Sequence, residues 1–106
     1  MFDYSQAIKT YINNHGFSII EKLTGHGVGV RVHERPYIYN YPHPDTKKIQ
    51  FKPGMVVAIE PITAVTSTDF EHRPNSEWNM YCKNNDIGAH WEYTIVITEK
   101  GYEILS

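Results

Sequence analysis

The sequence predicts an α+β fold, mainly antiparallel sheet with one or two helices, and three observations predict it. Helical periodicity is confined to one segment near the N-terminus. Short runs rich in Val, Ile, Thr and Tyr follow it. The later runs are joined by hairpin-type turns. A chain of 106 residues, 41% hydrophobic and 21% charged, suffices for one domain with a modest core, and the prediction is a single domain over 1–106.

From Ser5 to Asn14, Ala7, Ile8, Tyr11 and Ile12 fall on one side of a 3.6-residue period, with Asp3 or Ser5 as N-cap and Asn14 to Gly16 as the stop. Phe17 to Leu23 reads as a strand. Thr24-Gly25-His26-Gly27-Val28-Gly29 reads as a bend outside any regular element, because glycine is entropically costly inside one. Pro36, Pro42 and Pro44 mark Arg35 to Lys52 as a surface excursion. Lys52-Pro53-Gly54 is a turn into a strand from Met55 to Glu60, and Thr63 to Glu77 reads as a long loop. Trp78 to Lys83 and Ala89 to Thr98 are strands, and Glu99-Lys100-Gly101 turns the last of these into Tyr102 to Leu105.

A net charge of −2 gives no basic surface for nucleic acid or for a membrane. No apolar run approaches the ~20 residues that span a bilayer, and Met1-Phe2-Asp3-Tyr4 lacks the basic and apolar regions of a signal peptide. The single cysteine, Cys82, rules out an internal disulfide framework and fits a reducing compartment, so the predicted location is cytoplasmic.

Three polar groups stand where folding alone would not choose them. Glu92 alternates with Trp91 and Tyr93 in an otherwise apolar strand. If both faces of that strand are covered, its carboxylate needs a cation, a proton or a metal. Glu60 ends an apolar strand just before Pro61. His26 lies between two glycines that let the backbone approach a ligand, and His33, seven residues on, could reach the same cleft. One imidazole with two carboxylates suits Mn²⁺, Fe²⁺, Co²⁺ or Zn²⁺. His15, His43, His72 and His90 fit no pattern and read as surface or packing residues, and Cys82 lacks a fixed histidine partner.

Taken in order, Gly25-His26-Gly27-Val28-Gly29, His33-Glu34-Arg35-Pro36, Pro53-Gly54-Met55 through Ile59-Glu60-Pro61, and Trp91-Glu92-Tyr93-Thr94-Ile95-Val96-Ile97-Thr98 resemble the C-terminal half of type I methionine aminopeptidases, metallopeptidases of the pita-bread fold. The resemblance implies His26, Glu60 and Glu92 as metal ligands, with Glu92 bridging two ions in the complete enzyme. It implies that His33 contacts the scissile amide and that Glu60 also shuttles a proton. Tyr37, Tyr39, Trp78 and Tyr93 are candidate pocket residues. The implied reaction removes an N-terminal methionine from a peptide or nascent chain.

The same resemblance implies two aspartate ligands and a further histidine from an N-terminal half, whereas only Asp3 precedes His26 here. The chain alone is therefore expected to be inactive, and to take an N-terminal-half partner chain or to self-associate. Tyr93 also departs from the histidine usual at that position. The competing reading is a non-catalytic pita-bread remnant that binds peptide N-termini or a protein partner.

Overall fold

A computed structural model describes all 106 residues, Met1–Ser106. Its elements are α1 (Phe2–Asn14), β1 (Ser18–Ile19), β2 (Gly25–Gly27), β3 (Glu34–Ile38), β4 (Val56–Ile59), β5 (Ile62–Ala64), β6 (Phe70–His72), β7 (Met80–Cys82), β8 (Gly88–His90), β9 (Tyr93–Thr98) and β10 (Gly101–Ile104). Two 3₁₀ turns, Pro44–Lys48 and Lys83–Asn85, complete the set. All strand pairs are antiparallel. They form a five-stranded sheet in the order β10-β9-β4-β2-β3, a three-stranded sheet in the order β1-β5-β8, and the hairpin β6-β7. The fold class is that predicted.

Several segments differ from the sequence reading. The helix starts at Phe2 without a side-chain cap, and Ser5 is buried inside it, its hydroxyl donating to the Tyr39 carbonyl at 2.7 Å. Gly25-His26-Gly27 is not a bend but β2, buried between β4 and β3. The glycines are there because the neighbours come so close: a Cβ on Gly25 would strike the Ala58 carbonyl oxygen, and one on Gly27 the Arg35 carbonyl oxygen. Arg35 to Lys52 is not simply surface, since it supplies β3 and the fully buried Ile38, Asn40 and Thr46. The long loop after Thr63 contains most of β5 and all of β6, and the stretch from Ala89 to Thr98 is broken at Trp91-Glu92 into β8 and β9.

The core is small. Its buried apolar side chains are Ile19, Ile20, Ile38, Val57, Ala58 and Ala64, while Trp91, Tyr93, Tyr102 and Ile104 stay exposed. Surface ion pairs meet at the start of the β6-β7 hairpin. The Lys83 ammonium at 2.7 Å from Asp69, then the Phe70 N–H and Lys22, hold the Asp69 carboxyl at about 2, below its ordinary 3.8. A depressed carboxyl contributes stability above its ordinary value and loses it as pH falls through the folded one. The hairpin is therefore expected to loosen as pH falls from about 4 toward 2. A carboxyl-carbon NMR titration should put the Asp69 midpoint near 2 and return it toward the ordinary value in Lys83→Ala; an unchanged midpoint in that variant would refute the pairing.

Candidate metal centre

β4 and β9 run side by side, and so do β5 and β8, and between them the two strands pass from one sheet to the other. Ile59 pairs with Tyr93, and Ile62 pairs with His90. Counting inward from either pair sets Glu60 opposite Glu92 and Pro61 opposite Trp91, in the gap where the ladder is interrupted. Like charges facing each other across a strand pair are destabilising, so this register calls for a cation. His26 pairs with Ala58, two residues before Glu60, which brings the imidazole to the same side as the carboxylates. Ala58, wholly buried, is small enough to leave the space between them open.

One ligand atom from each of His26, Glu60 and Glu92 lies within 4.8 Å of the other two. The proton positions on His26 favour a cation there. Nδ1 lies 2.9 Å from the Gly27 carbonyl, which only accepts, so Nδ1 carries the hydrogen. In the neutral ring Nε2 therefore presents a lone pair, and it does so 3.2 Å from Glu60 Oε1. Two acceptors facing one another need a positive charge, on the ring or between them. An imidazole that donates its second N–H to a backbone carbonyl is the usual arrangement for a metal-bound histidine.

Glu60 is largely buried. Burial, and then the facing Glu92 carboxylate, push its carboxyl above the ordinary value of 4.5, while His26 and His90 pull it down. Its backbone is held as well: Asn40, fully buried, donates from Nδ2 to the Glu60 carbonyl at 3.1 Å and accepts from the Tyr4 hydroxyl at 2.9 Å. Burial, followed by the charge on Glu60, raises Tyr4 to about 12, so that hydroxyl stays a donor at neutral pH. Glu92, read from sequence as a carboxylate held among apolar neighbours if both faces of its strand were covered, is exposed.

The His33 ring lies tilted against that of His26, with centroids 4.2 Å apart. A hollow of about 650 Å³ joins His26, His33, Glu60 and His90 to Trp78, Leu23, Ile62 and Met80. Tyr37, paired with His26 across β2 and β3, lines an adjoining hollow with His33 and Arg35. Tyr39 is not brought to this centre; it lies beyond the end of β3, stacked on His43 at 4.1 Å. Tyr93 is not either. It follows Glu92 in an alternating strand and so points to the opposite face, into an apolar hollow with Ile95, Ile97 and Tyr102. His90 is the residue the sequence reading missed: its Nε2 lies 3.1 Å from Glu60 Oε2. The signal was available, since His90 is two residues before Glu92 and shares its face.

A sequence profile of metallopeptidase family M24 matches residues 1–99. The chain belongs to metallopeptidase family M24. Among similar M24 proteins, methionine aminopeptidase of Chlamydia pneumoniae is 38% identical over 104 residues, which are 98% of this chain and 35% of that protein. Methionine aminopeptidase 1 of Bacillus subtilis is 41% identical over 102 residues, 96% of this chain and 40% of that one. The crystal structure of methionine aminopeptidase from Thermotoga maritima superposes with a TM-score of 0.89 at 36% identity, covering 98% of this chain and 41% of that chain. That from Rickettsia prowazekii gives 0.88 at 31%, covering 97% and 41%. This M24 chain thus has the pita-bread architecture of those enzymes and spans about two-fifths of their length. Membership in a metallopeptidase family implies a divalent metal, and the donor set of one imidazole and two carboxylates fits one. No helix is long and apolar enough to cross a membrane.

Proposed function

We propose that this chain is the C-terminal part of a methionine aminopeptidase, in which His26, Glu60 and Glu92 are metal ligands and an N-terminal half supplies two aspartates and a histidine. The observation that carries the reading is the convergence of those three side chains at the break between the sheets. Burying Glu60 opposite a second carboxylate has a cost that a bound cation would offset. The exposure of Glu92 and the apolar hollow of about 520 Å³ beside Tyr93 and Tyr102 also support a covering partner.

In that assembly the substrate is a peptide or nascent-chain N-terminus, held in the hollow between His33 and Trp78. His33 donates a hydrogen bond at the scissile amide, and Glu60 takes up a proton and returns it to the leaving amine. A bound divalent metal (Co²⁺, Mn²⁺, Fe²⁺ or Zn²⁺, two ions in the complete enzyme) polarises the carbonyl and lowers the pKa of water. The setting for this chemistry is the cytoplasm.

Calorimetric titration with Mn²⁺ tests the ligand assignment. Weak binding is expected from the chain and none from His26→Ala. A Met-Ala-Ser peptide should not be cleaved by the chain alone with Co²⁺ or Mn²⁺, and should be cleaved once the N-terminal half is added. Equal heats from wild type and His26→Ala would favour the non-catalytic remnant, and turnover by the chain alone would show that it needs no partner.

A further inference from the structure

The two oxygens of Glu60 meet two imidazoles that carry their protons differently. Toward Oε1, His26 turns Nε2, which bears no hydrogen in the neutral ring because Nδ1 carries it and donates to the Gly27 carbonyl. Toward Oε2, His90 turns Nε2 at 3.1 Å, and a carboxylate oxygen can only accept, so this nitrogen carries the hydrogen. The donation holds for the neutral ring and for the charged one alike.

We propose that His90 is a positioning residue for Glu60: its Nε2–H holds Oε2 and leaves Oε1 as the oxygen presented, beside His26, to a bound cation. The inference rests on the reading of His26, Glu60 and Glu92 as ligands. The Glu60 side chain is 12% exposed, and a carboxylate that dry needs both oxygens satisfied. His90 is the side chain hydrogen-bonded to Oε2. Its ring is half exposed, but its backbone is fixed. It ends β8 in register with Ile62, two residues from Glu60 along the neighbouring strand, a diagonal that an imidazole and a glutamate span. Without this donor Oε2 is unpaired and the carboxylate is free to rotate about its last bond, so Oε1 is no longer fixed against His26. Partners that orient a ligand in this way are worth roughly 10–100-fold in metal affinity.

Three measurements on the chain test this. In the metal-free protein, nitrogen-15 NMR of the histidine rings should show the His90 hydrogen on Nε2. The Glu60 carboxyl-carbon resonance should move in His90→Ala, return in His90→Gln, whose amide also donates, and stay put in His72→Ala. In Mn²⁺ titrations His90→Ala should bind about 10–100-fold more weakly than wild type and His90→Gln within about threefold of it. A hydrogen on Nδ1 of His90, a Glu60 resonance indifferent to His90→Ala, or wild-type Mn²⁺ affinity in that variant overturns the proposal. Failure of the ligand reading looks different: His26→Ala then binds Mn²⁺ like wild type, or wild type does not bind it, and the metal-free resonances alone decide the role of His90.

Discussion

Gly25→Ala is expected to cost about 3 kcal/mol or more and to abolish Mn²⁺ binding with it. The added methyl would strike the Ala58 carbonyl oxygen and approach Ile38 Cβ to 3.1 Å and the Ala58 carbonyl carbon to 3.3 Å. Two of those three atoms are backbone in the middle of the five-stranded sheet, so relief requires β2 to move away from β4. His26 is the next residue and moves with the strand, which is why stability and metal affinity should fall together. Gly16→Ala is the comparison. It has a positive φ of +82 but no atom within 4 Å of the new methyl, so its cost is conformational only, roughly 1–2 kcal/mol, with Mn²⁺ binding intact. Urea unfolding and calorimetry on the two variants check this. A Gly25→Ala protein as stable as Gly16→Ala would mean that β2 does not pack as described.

Glu92→Gln is expected to separate the two properties that Gly25→Ala joins. Glu92 stands opposite Glu60, and its charge helps push the Glu60 carboxyl up. Removing one of two like charges on facing strands should leave the metal-free protein as stable as wild type or more so, by about 0.2–1 kcal/mol. Mn²⁺ affinity should meanwhile fall by more than about 100-fold if Glu92 is, as proposed, a ligand and not merely the support of one. Such a trade, stability held back for a site, is common at functional centres. The two readings are a metal-free melting curve and a Mn²⁺ titration. A melting temperature well below wild type would show that Glu92 has a structural partner in place of its repulsion with Glu60.

Much of the site was legible before any coordinates. His26 between glycines, Glu60 at the end of an apolar strand and Glu92 in the middle of another are each out of place by simple rules, because burying charge and placing glycine in regular structure both cost free energy. Strand alternation even contained His90, which reads as a surface or packing residue because a histidine two residues before a glutamate has no meaning until its opposite number is known. Tyr39 shows the converse error. An aromatic near the motif was grouped with the pocket, yet the chain leaves β3 at Ile38, and the ring turns to His43.

The sequence by itself determined the class of fold and the hairpin at Gly101, and set His26, Glu60 and Glu92 apart as polar residues in glycine-rich or apolar surroundings, since all of these follow from local periodicity and the cost of isolated charge. Only the tertiary structure decided that Gly25-His26-Gly27 is a central strand, that Glu60 faces Glu92 where the ladder opens, and that Asn40, Tyr4 and His90 hold Glu60 in place. These depend on pairing register and on contacts between residues distant in sequence, twenty or more positions apart for the pairs that hold Glu60. A glycine chosen to admit a neighbouring carbonyl and a glycine chosen for a turn look the same until the neighbour is in place.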